Sequence, residues 1–76
     1  MFIELTSSNN GKNFTLNAMY ILEVSEKVEE DGAVGCVIWT ALRNEMNRDR
    51  FYEVQETREE VILKIKEAIK FAENFR

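Results

Sequence analysis

Residues 29–42, Glu29-Glu30-Asp31-Gly32-Ala33-Val34-Gly35-Cys36-Val37-Ile38-Trp39-Thr40-Ala41-Leu42, decide how the rest of the chain is read. Asp-Gly is a strong hairpin signal, because a tight reversal between right-twisted strands needs positive φ and Gly adopts it without steric cost. The acids before it keep the strand end in water. The run from Ala33 to Leu42 is nearly continuous in apolar residues rather than alternating, which predicts a central strand covered on both faces. Gly35 within that run predicts a bulge, or a place where another backbone or ring comes close.

Working outward toward the N-terminus, Phe2-Ile3-Glu4-Leu5-Thr6 alternates as a first strand, with Ile3 and Leu5 on one face and Phe2, Glu4 and Thr6 on the other. Ser7-Ser8-Asn9-Asn10-Gly11 is a turn cluster. A second strand follows, carrying Phe14, Leu16, Ile21, Leu22, Val24 and Val28, and its apolar phase slips across Asn17-Ala18-Met19. Such a slip predicts a bend or bulge within one strand, since one inserted residue re-aims every later side chain.

Toward the C-terminus, Arg43 to Asp49 is polar apart from Met46 and long for a hairpin tip. Phe51 to Glu56 reads as a last strand. Thr57-Arg58-Glu59-Glu60 is a capping box, in which Thr57 satisfies the amide of Glu60 and Glu60 that of Thr57. The helix it starts is expected from Arg58 to about Asn74, with Val61, Ile62, Ile65, Ala68, Ile69, Ala72 and Phe75 sharing one face. The expected architecture is therefore a single α+β domain over residues 1–76: an antiparallel four-stranded β-meander followed by one C-terminal α-helix packed on the sheet.

Composition narrows function. Seventy-six residues, 45% hydrophobic and 32% charged, are enough for one small core. Cys36 is the single cysteine and histidine is absent, so a zinc site lacks its ligands and an intramolecular disulfide is impossible. No cofactor is expected. Without histidine, a Gly-rich phosphate loop or a nucleophile elbow, and with Glu59 and Glu60 explained by capping, the chain does not read as an enzyme. The formal net charge of −4 opposes binding to a nucleic acid polymer. Neither a basic leader nor an apolar run near the roughly 20 residues that span a bilayer is seen, so no membrane partner and a cytoplasmic location are expected.

Two apolar side chains miss the helix's core face: Leu63 projects opposite Val61, and Phe71 lies at its edge. A helix of this length, about 26 Å, outruns a typical strand of about 17–20 Å, so its Phe71 and Phe75 end should overhang the sheet. Together with the apolar second face of the central strand, this predicts a homo-oligomer with Leu63, Phe71 and Phe75 at the interface.

The order Ile3, Leu5, Thr6, Asn10-Gly11, Phe14, Leu16-Asn17, Ile21, Val24, an apolar strand, then Val54, Glu56, Glu59, Val61 and Ile65 resembles the small flagellar FlbD family. It is also similar to many short proteins of bacteria and their phages. The resemblance covers most of the chain but rests on turn and core positions. It implies a compact strand-rich protein ending in a helix, with an accessory role and no cofactor. The segment Arg43 to Arg50, where the family has a short turn, and the long tail Lys66 to Arg76 depart from the pattern.

The functional expectation is a non-enzymatic binding or interaction module of bacterial or phage type, with a copy of itself or another protein as partner. The alternative is a phage anti-defence sponge that sequesters a nucleotide immune signal at a subunit interface. There, Arg43, Arg48 and Arg50 would fork onto phosphates while Trp39, Tyr20 or Tyr52 stack on a base.

Overall fold

The alternating segment after Met1 becomes β1 (Phe2–Thr6) in a computed structural model of the chain, which describes residues 1–43, 45–46 and 49–73. After it come β2 (Asn13–Asn17), a short 3-10 turn (Ala18–Tyr20), β3 (Ile21–Val28), β4 (Val34–Arg43), β5 (Asp49–Val54) and α1 (Arg58–Glu73). The chain is α+β with a C-terminal helix, as expected. The four-stranded meander is not what forms: five antiparallel strands divide into a β1–β2 sheet and a β3–β4–β5 sheet.

The difference arises at Asn17. Its carboxamide oxygen accepts a hydrogen bond from the Met19 N–H at 3.0 Å, capping the 3-10 turn that buries Ala18. A side chain that offers the backbone such a local partner competes with the strand ladder. The phase slip is thus a break between two strands in different sheets, where a bulge within one strand was expected.

Both reversals use glycine where positive φ is needed. Gly11 has φ 69° in the connection from β1 to β2, and Gly32 has φ 86° after Asp31, whose carboxylate accepts from the Ala33 N–H at 2.9 Å. Gly35 serves close approach instead: a Cβ there would collide with the backbone carbonyl oxygen of Val54.

Along β4, Cys36, Ile38 and Thr40 are buried, whereas Trp39 and Ala41 are exposed and Val37 is half-buried. The central strand is covered on one face only, a second correction. Cross-strand partners share a face, so Glu23, Trp39 and Phe51 form one row on the open side, and Ser25, Val37 and Glu53 the next.

On the covered side a single core gathers Ile3, Leu5, Leu16, Ala18, Cys36, Ile38, Val54 and Val61. Full burial of Leu5, Ile38 or Val61 each stabilises the fold by about 1.5–3 kcal/mol as an upper estimate. Thr40 is buried among them with its hydroxyl satisfied, donating to the Arg50 carbonyl at 2.8 Å and accepting from the Leu42 N–H at 3.3 Å.

The two sheets join at one corner. Ser7 bridges Val54, the Ser8 N–H donates to the Glu53 carbonyl at 2.9 Å, and the Gln55 N–H donates to the Thr6 carbonyl at 2.9 Å. The Glu56 carboxylate accepts from both the N–H and the hydroxyl of Thr6, each at 2.9 Å. Immediately afterwards the capping box forms as read from the sequence. The Glu60 N–H donates to the Thr57 hydroxyl at 3.2 Å and the Thr57 N–H to the Glu60 carboxylate at 3.4 Å. Val61 then enters the core, with Ile65 and Ala68 packed against it. Among the described residues, no helix is long and apolar enough to cross a membrane.

Candidate interaction surface

Helical spacing sends Val61, Ile65 and Ala68 toward the sheets and leaves the flank bearing Lys64, Glu67 and Phe71 beside β1. On β1 the alternation that buries Ile3 and Leu5 turns Phe2 and Glu4 outward. Between these two flanks lies an open groove of about 690 Å³, lined by Phe2, Glu4, Lys64, Glu67, Ala68 and Phe71 among others. Phe2 is 67% and Phe71 65% exposed, and Met1 at the same groove is also exposed. Met1, Phe2 and Phe71 thus bring exposed apolar surface together at one groove. The phenylalanine on β1 escaped the sequence reading of interface residues. Its signal was parity: an aromatic sits on the face that Glu4 and Thr6 mark as polar.

Leu63 is exposed on the helix as expected, and Phe71 takes part in the groove. Phe75, the third expected interface residue, lies outside the described residues, as does Arg48 of the expected anion set.

The remaining members of that set are not brought together. Trp39 stands on the open sheet face against Phe51, ring centroids 4.9 Å apart. Tyr52 is paired with Ile38 on the covered face, where it stacks on Phe14 at 5.2 Å. The strand period of two therefore puts Trp39 and Tyr52 on opposite sides of the sheet. Tyr20 is exposed in the 3-10 turn that leads into β3. Arg43 and Arg50 are exposed at the β4–β5 end, where Arg43 pairs with Asp49 in the ladder.

Elsewhere the charged groups settle one another. Lys27 faces Gly35 across the ladder, and with no side chain in the way its ammonium reaches Glu53 at 2.7 Å and Glu29 at 3.4 Å. The hydrogen bond to Glu53, aided by Glu29, raises the Lys27 pKa above its ordinary value. Burial pushes the Cys36 thiol up to about 11, with the carboxylates of Glu56 and Glu60 adding to the shift. A thiol so protonated is a packed side chain and a poor nucleophile. Among the described residues no group of three or more Cys, Asp or Glu is placed to hold a metal ion.

No protein-family model, curated protein or solved structure matches the chain, and the flagellar resemblance stands on the residues that carry it alone.

Proposed function

We propose that this chain is a non-enzymatic interaction module of bacterial or phage type, acting in the cytoplasm and assembling with copies of itself through the helix flank. The observation that carries the reading is the groove between β1 and α1, along which Phe2 and Phe71 expose most of their surface, with Leu63 exposed on the same helix. Aromatic and large aliphatic side chains dominate interface energetics when a partner desolvates them, so these residues are the anchors.

Light scattering across a concentration series tests it. The chain of 8.9 kDa should run at a multiple of that mass, and Leu63→Lys combined with Phe71→Lys should lower it. A double variant of unchanged mass removes the helix from the assembly.

A further inference from the structure

β3 is an outer strand of its sheet, paired with β4 on one side only. Among the described residues, the backbone groups of 22–28 form no hydrogen bond outside the β4 ladder. Such a row of free N–H and C=O groups is a template for another strand. Its ends are open, with Leu22 64% and Val28 61% exposed, and Glu23 and Glu26 between them are exposed as well.

The sequence of this strand selects its partner. We propose that β3 pairs antiparallel with β3 of a second copy about a two-fold axis at Ser25, extending two three-stranded sheets into one of six strands. In that register Glu23 lies opposite the partner's Lys27 and Val24 opposite the partner's Glu26, each pair occurring twice by symmetry, and Ser25 lies opposite itself once, on the axis; Leu22 falls at the bulge where β3 departs from the regular ladder. Slipping the register by one residue places an odd position opposite an even one, so the two copies would turn their cores to opposite sides. It would also set Glu23 against Glu26 in one direction of slip.

Slips of two residues keep the faces but lose the charges. Centred on Val24, Glu23 meets Ser25. Centred on Glu26, that residue meets itself and Glu23 meets Glu29. Only the Ser25 register matches acid to base. Lys27 has capacity for the added partner: an ammonium carries three donors, and Glu53 and Glu29 engage two of them. This contact is independent of the helix groove, to which β3 contributes no residue.

The test is crosslinking by air oxidation. A Ser25→Cys chain should form a disulfide-linked dimer at the axis, while Glu23→Cys, whose own copy lies across the axis and four residues along the strand, should not. Mixed with Lys27→Cys, however, Glu23→Cys should crosslink. The native Cys36 is buried and protonated and does not compete. A Ser25→Cys chain that forms no disulfide-linked dimer, or a Glu23→Cys chain that links to itself as readily, overturns the proposal. Independently of any cysteine, Glu23→Lys places like charges opposite one another twice and should weaken dimerisation about tenfold in sedimentation equilibrium. Unchanged affinity overturns it too. Adding Leu63→Lys and Phe71→Lys to the Ser25→Cys chain should leave the crosslink intact, so loss of the helix contact and loss of the edge contact read differently.

Discussion

Ile38 and Trp39 are consecutive in β4 and differ in most of what folding controls. Ile38 has no exposed surface and lies in the core with Leu5 and Val61, whereas Trp39 is 37% exposed on the far side of the same strand. The hairpin β1–β2 and the helix both pack onto one face of the β3–β4–β5 sheet. Among the described residues, the other face is finished by its own side chains, through the Trp39–Phe51 pair and the Lys27–Glu53 bridge. A residue's apolarity in this strand therefore says little about its contribution to stability. Its parity says more.

The largest effect that tests the contrast is Ile38→Ala, which should cost about 2–5 kcal/mol in urea unfolding. A small domain has a total of roughly 5–15 kcal/mol, so much of its stability would go. Gly35→Ala sharpens the comparison from the open side. Though it shares that parity, its Cβ would strike the Val54 carbonyl, and a loss of about 1–3 kcal/mol is expected. Thr40→Val keeps the shape but strips the hydroxyl from its two backbone partners, for about 1–2 kcal/mol.

A smaller effect comes with alkali. Between the ordinary thiol pKa of about 8.5 and the folded value of about 11, the unfolded chain gives up the Cys36 proton and the folded chain keeps it. The unfolded state then binds fewer protons, so stability is intact below the lower value and falls as pH rises through the window. Lys27, with its raised pKa, loses its pairing in the same direction as pH rises through the lysine range. Melting curves from pH 8 to 10 should show the decline, and Cys36→Val should flatten it. The smallest effect is Trp39→Ala, below about 1 kcal/mol. A cost above about 2 kcal/mol would break the comparison.

Local chemistry was legible wherever one residue type has few other uses. Asp31-Gly32 turned the chain, Thr57 and Glu60 capped the helix, and Gly35 marked a close backbone. Legibility failed where the signal depended on what lies across space. The slip at Asn17-Ala18-Met19 was visible, but whether a slip bends a strand or ends it depends on the capping bond to Met19 and on room for the next strand in a second sheet. The continuous run of β4 hid its alternation, because Trp39 and Ala41 are apolar and outward. For the same reason Trp39 and Tyr52 looked like companions when strand parity separates them. The groove was half legible: Phe71 stood out on the helix, but its partner Phe2 is brought beside it only by the packing of α1 against β1.

The corner where Thr6 meets Glu56 also sets an order in time. Its hydrogen bonds join positions 50 apart, so β1 is held by a segment made well after it. During synthesis the β1–β2 hairpin emerges early, yet the hydrogen bonds that join it to the larger sheet come from residues 53–56. The capping box follows one residue later, so these bonds and the helix that seals the core become available almost together. Contacts of such separation slow folding, since a long loop must close before they repay it. The hairpin therefore waits for residues 53–56 to join the sheet, and it spends that interval with Ile3, Leu5 and Leu16 uncovered.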